Sequence, residues 1–171
     1  MNWKKFLLVA ALALTVAACQ REVRPEAKKP EGPPYNLVFK SLDPAPDWVE
    51  KANLTEDDDP VVVGKASSIE GLLAAQHLAM NDAVIKIVHA SLGEAVRVEP
   101  QIQWRMVPEG MAVDCNAAVW LDGKPVLIRD LEVKGAYYEI WESDGQRVTV
   151  AWMRMVWPKA SLKRLLSEHS I

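Results

Sequence analysis

The chain has 171 residues, half of them hydrophobic, and a formal net charge of −3. That length suffices for one compact domain and excludes several. The mildly acidic balance gives no electrostatic footprint for a nucleic acid.

The first nineteen residues carry the clearest signal. Lys4 and Lys5 make a short basic start, Phe6 to Ala18 is an apolar run, and Val16-Ala17-Ala18-Cys19 closes it with small residues ahead of a cysteine. This is the anatomy of a bacterial lipoprotein signal peptide over residues 1–18. The run falls short of the roughly twenty apolar residues a membrane-spanning helix needs, so a permanent transmembrane anchor is the weaker alternative. Cleavage would leave Cys19 as the new N-terminus, with diacylglycerol on its sulfur and an acyl chain such as palmitate on its amine. Several chains anchor durably where one binds marginally. Gln20 stands where Asp would favour inner-membrane retention, so the expected address is the periplasmic face of the outer membrane. Loss of Lys4 and Lys5 makes the mature chain more acidic by two charges. Once Cys19 is assigned to lipid, Cys115 has no partner for an internal disulfide, and it reads as a small buried apolar residue.

Residues 19–34 read as the lipidated N-terminus and a flexible tether. Arg21, Arg24, Lys28 and Lys29 alternate with acidic residues and with Pro25, Pro30, Pro33 and Pro34, a composition that cannot build a core. Residues 35–59 form an approach segment, with a strand expected at Leu37-Val38-Phe39 and then Pro44, Pro46 and Trp48. Its acidic run Glu56-Asp57-Asp58-Asp59 lacks the spaced oxygen ligands of a calcium loop and reads as an exposed turn.

The compact domain is expected over residues 60–171. Val61 to Ala66 predicts a strand, and Ser67 with Glu70 has the chemistry of a capping box. The spacing predicts a helix from about Ser68 to His89, with Ile69, Leu72, Leu73, Gln76, Met80, Ala83, Val84, Ile87 and Val88 on a broad core-facing side. His77 and His89 have no neighbouring donors in a zinc-ligand pattern and read as structural, so no metal site is expected. Beyond Gly93, Val96, Val98, Ile102, Trp104 and Met106 alternate through Pro100 as a strand. Asp122-Gly123 and Asp144-Gly145 have tight-hairpin chemistry; they divide Ala117–Leu121 from Val126–Ile128, and Ala136–Trp141 from Arg147–Trp157. After Pro158, Leu162, Leu165 and Leu166 suggest a short helix. The expected architecture is α+β: a curved antiparallel or mixed sheet packed by one long helix, with a short C-terminal helix.

Six tryptophans follow the signal, and Trp104, Trp120, Trp141, Trp152 and Trp157 fall in or near predicted strands, where core and edge packing is the default. A sugar-binding ladder is the sharper alternative, with Trp141, Trp152 and Trp157 as platforms and Arg154 as polar donor. Their strand phases do not all agree. The chain contains no phosphate loop, zinc-protease helix motif or serine nucleophile elbow. Neither a catalytic residue nor a cofactor is therefore assigned.

Together the signal ending in Cys19, Pro46-Asp47-Trp48-Val49, Val63-Gly64-Lys65-Ala66-Ser67-Ser68, the alanine-containing helix and Tyr137-Tyr138 through Val150-Ala151 resemble the lipoprotein-20 family of bacterial outer-membrane lipoproteins. The resemblance covers roughly Trp48 to Leu166. It implies an outer-membrane-associated, non-enzymatic domain, overlapping with domains of some flagellar assembly lipoproteins. The expected function is an anchored envelope structural or assembly module whose partners are the membrane and envelope or flagellar assembly proteins. The alternative is a glycan-binding or peptidoglycan-associated lipoprotein.

Overall fold

The computed structural model describes residues 35–50, 53–108 and 110–169. The expected signal peptide, Cys19 and the expected tether lie outside the described residues. The elements in chain order are β1 (Asn36–Lys40), a single 3-10 turn (Asp47–Val49), β2 (Asn53–Glu56), β3 (Asp59–Ser68), α1 (Leu72–Leu92), β4 (Arg97–Val107), β5 (Gly110–Leu121), β6 (Lys124–Ser143), β7 (Gln146–Val156) and α2 (Lys159–His169). The sheet order is β2-β3-β7-β6-β5-β4, with β1 added beside β6. Every pairing is antiparallel, which resolves the expected sheet to the antiparallel form.

Alternation along the strands assigns one sheet face to the core. Val62 of β3, Ala151, Met153 and Met155 of β7, Cys115, Ala117, Val119 and Leu121 of β5, and Ile128 and Leu131 of β6 are buried with the inner side of α1. The helix contributes Ala75, Ala79, Met80, Ala83, Val84, Ile87 and Val88. Its alanines let the helix approach the sheet closely. Gly64 completes that fit, because a Cβ there would overlap the Ala79 carbonyl and lie 2.5 Å from the Ala83 nitrogen.

Among the described residues, three two-residue hairpin turns have positive φ at both central positions. Asp122-Gly123 has φ of 50° and 76°, and Asp144-Gly145 has 51° and 78°. Positive φ at both central positions is the twist-matching hairpin geometry, which Asp-Gly adopts readily. Asp57-Asp58 does the same at 51° and 69° between β2 and β3. The acidic run is thus an exposed turn, and it also receives α2. Asp59 accepts the Lys159 backbone N–H at 2.7 Å, and Asp58 pairs with the Lys159 ammonium at 3.0 Å. Carboxylates at a helix N-terminus satisfy orphan donors and complement the helix dipole.

The structure corrects two sequence boundaries. The first helix begins at Leu72 and not at Ser68, because β3 keeps its ladder with β7 through the pair Ser68↔Thr149. Ser68 Oγ accepts the Glu70 N–H at 3.0 Å in a local turn, and Gly71 at φ 104° redirects the chain into the helix without a side-chain cap. The helix also runs past His89 to Leu92, ending at Gly93 with φ 99°. Secondly, residues 35–59 are not outside the domain: β1 pairs with β6, and β2 pairs with β3. Backbone pairing, which hydropathy alone does not reveal, draws them in.

Edges are managed locally. Pro100 sits in β4, an outermost strand, where a missing N–H is tolerated. Beyond β2, the open edge of β3 is met by α1: Asp82 accepts the Lys65 N–H at 2.9 Å, and the Lys86 ammonium donates to the Val63 carbonyl at 3.3 Å. A side-chain clasp of this kind blunts an edge that would otherwise template pairing.

Candidate functional surface

The sheet face turned away from α1 carries most of the predicted aromatic patch. Register places residues in cross-strand rows: Lys65, Trp152 and Tyr137 form one across β3, β7 and β6, and Val63, Arg154 and Gly135 form the next. Strand alternation adds Glu139 and Trp141 to the same face of β6. Trp141, Trp152 and Arg154 therefore share a face. Trp157 does not, because it is 1% exposed within the helix-side core.

The row of Lys65, Trp152 and Tyr137, with Glu139 and Trp141, is tied together by its own contacts. The Glu139 carboxylate accepts from the Tyr137 hydroxyl at 2.7 Å and from the Trp141 indole N–H at 3.0 Å. Tyr137 and Trp152 pack as tilted rings with centroids 5.2 Å apart, and the Lys65 ammonium lies 4.9 Å from the Trp152 ring centre. Burial foremost, then the Glu139 hydrogen bond and charge, push the Tyr137 hydroxyl up to about 12.

A strap from the approach segment closes over part of this face. Ser41 exchanges bonds with Tyr138: its N–H donates to the Tyr138 carbonyl, and its hydroxyl accepts the Tyr138 N–H, both at 2.9 Å. The Trp48 ring lies on Gly135, where an added Cβ would come within 3.1 Å of it. Trp152 is 9% exposed and Tyr137 1%. Trp152 and Trp157 follow the default core packing, and the alternative of a sugar platform is corrected at both: Trp152 packs against Tyr137 and Lys65, and Trp157 lies in the helix-side core, so neither presents an open indole face. Trp120 is likewise engaged, with the Arg97 guanidinium 4.1 Å from its ring centre.

The open feature lies elsewhere, where β5 and β6 part. They pair from Leu121↔Lys124 to Ala117↔Ile128, then shift register so that Cys115 faces Leu131. The extra residue in β6 is a bulge, which bends a strand and increases its twist. Past Cys115, β5 continues with β4 while β6 continues with β7. A cleft of about 620 Å³ opens in this fork, lined by Val113, Asp114, Cys115, Asn116, Arg129, Leu131, Glu132 and Val133.

Charge in the cleft is unevenly matched. Asp114 bonds Arg105 at 2.8 Å, and Glu132 pairs with Lys134. Arg129 has no ion-pair partner among the described residues. Cys115 lies at the inner wall with its Sγ 3.9 Å from Met80 Sδ, and burial, followed by the Asp114 charge, raises its thiol to about 11. Such a thiol is a poor nucleophile at neutral pH.

His89 takes a structural place, its Nε2 lying 3.1 Å from the Val96 carbonyl beyond α1. Among the described residues no three His, Cys, Asp or Glu side chains gather as metal ligands. Sequence reasoning missed the fork because it depends on where two ladders separate. Gly135, the one glycine inside β6, marks instead the bulge of the β6–β7 ladder and the close approach of Trp48. No family model, no curated protein and no solved structure matches this chain.

Proposed function

We propose that this chain is an outer-membrane-anchored lipoprotein that serves as a non-enzymatic structural or assembly module of the bacterial envelope, related in design to the lipoprotein-20 family. The observation that carries the reading is the run from Lys4-Lys5 through the apolar stretch to Ala17-Ala18-Cys19-Gln20. Lipid concentrates the domain at a surface, and the proline-containing tether sets its reach, roughly 20 Å if it behaves as a coil. The fold is compatible with that use: the chain enters the sheet at Asn36, opposite Glu142 and next to the β6–β7 turn, so the tether joins at one end of the sheet.

The test is metabolic labelling with palmitate and membrane fractionation of the wild type and Cys19→Ala. Lipid label and outer-membrane recovery in the wild type, both lost in the variant, are the expected results. Unlabelled wild-type protein recovered wholly in the soluble periplasm would overturn the proposal.

A further inference from the structure

We infer that β1 and the bend that follows it rest on the bilayer to which the tether leads, so that the domain lies against a lipid surface with Leu37, Val38, Phe39 and Leu42 among the headgroups. The inference rests on the lipid-anchor reading and adds to it a second contact, made by the domain itself.

Exposure supplies the first reason. Among the described residues ten large hydrophobic side chains are exposed, and four of them fall within residues 37–42. Single exposed apolar residues are ordinary, whereas a contiguous group marks a contact surface. Val38 is 53% exposed and Phe39 46%, although both belong to a strand.

The ladder with β6 supplies the second reason, because it makes β1 apolar on both faces. Leu37 stands opposite Trp141 and Phe39 opposite Ile140, the register shifting between them. Paired residues share a face and successive residues alternate. Leu37 therefore lies with Trp141 on the face turned away from α1. Phe39 lies on the other, its ring stacked on Tyr138 with centroids 5.6 Å apart. An added strand, such as β1 of a second copy, would pair the backbone edge and leave both faces bare, whereas a fluid apolar layer covers both. Insertion is shallow, about 5–10 Å as for other interfacial elements. Among the described residues β1 pairs only with β6, and the backbone groups of its other edge need hydrated partners.

The third reason is the place of the cluster in the chain, which names lipid as its occupant. Sixteen residues separate Cys19 from Asn36, and the exposed apolar run begins at the next residue. A coil of that length reaches roughly 20 Å. The anchor thus holds β1 at high local concentration beside the bilayer, where a weak apolar contact suffices. The nearby charges are matched: Lys40 pairs with Asp43 at 3.7 Å, and Arg147 pairs at 2.8 Å with Glu142, which stands opposite Asn36. Attraction to anionic lipid is not required, and zwitterionic lipid is enough.

The test uses the lipidated protein with a nitroxide label at Val38→Cys, Cys115 being buried, reconstituted on vesicles of phosphatidylcholine alone. Flotation with the vesicles reports the anchor. The ratio of collision rates with oxygen and with a water-soluble nickel chelate reports the depth of the label, and a label at Lys163→Cys, exposed on α2, is the solvent reference. The ratio at Val38 is expected to be several-fold above that at Lys163. It should fall to the reference value in Leu37→Asn/Leu42→Asn protein, where Phe39 is retained and protection of the Tyr138 amide, bonded to Ser41, shows β1 still seated. Protein that does not float overturns the anchor and this inference together. Protein that floats with Val38 as open to nickel as Lys163 overturns the inference alone, as does a ratio that the double variant leaves unchanged. Spin–spin broadening at Val38 without an oxygen preference also overturns it and assigns the cluster to a second copy.

Discussion

At the residue scale, Glu139 shows how one carboxylate organises a sheet face. It accepts from Tyr137 and Trp141, two residues to either side on the same strand face. Glu139→Gln removes a negative charge beside the phenol, so Tyr137 should titrate below about 12 while staying above the ordinary 10.0, because burial, the larger cause, remains. An ultraviolet titration differenced against Tyr137→Phe reads that shift, and an unchanged midpoint refutes the assignment. The same groups set an alkaline limit on stability. The folded state holds Tyr137 protonated up to about 12 and Cys115 up to about 11, whereas the unfolded chain ionises them near 10.0 and 9.0. Their contribution is fully present below the unfolded values and is lost as pH rises through the folded ones. Denaturation midpoints should thus fall between pH 9 and 12, with a shallower fall in Cys115→Ala.

At the element scale, the contact of β3 with α1 depends on the absence of a side chain at Gly64. Its Cβ position is occupied by the Ala79 carbonyl and by Ala83, both backbone-fixed, so the helix would have to lift from the sheet. Gly64→Ala should cost about 3 kcal/mol or more, beyond the usual range for overpacking, since no flexible side chain can yield. Urea denaturation measures it, and a loss below 1 kcal/mol would contradict so close an approach. α2 depends on a distant cap, Asp59, whose backbone belongs to β3. The acidic run was legible as a turn from its composition; its role in receiving α2 was not, because Lys159 lies a hundred residues away.

At the scale of the whole molecule, the helix covers one sheet face and the strap with Trp48 covers part of the other. Trp48→Ala should lower stability by about 2 kcal/mol, less than a fully buried tryptophan, because the ring is half-buried. It should also speed amide exchange at Ser41 and Tyr138; stability loss without faster exchange there would separate Trp48 from the strap. By itself the sequence determined the elements with strong local codes. Alternation marked β4 and β7, Asp-Gly pairs fixed two hairpins and with them an arm of β5, and the broad apolar side of the helix expected from about Ser68 to His89 marked α1, although its ends came out at Leu72 and Leu92. These are encoded within a few residues, by side-chain period and by permitted φ. Tertiary structure alone decided the pairing of β1 with β6, the extension of β3 through Ser68, the burial of Trp152 and Trp157, and the parting of β5 from β6. Each depends on which backbone groups meet across long sequence separations, and a hydrogen bond between distant strands leaves no periodicity in the residues that make it.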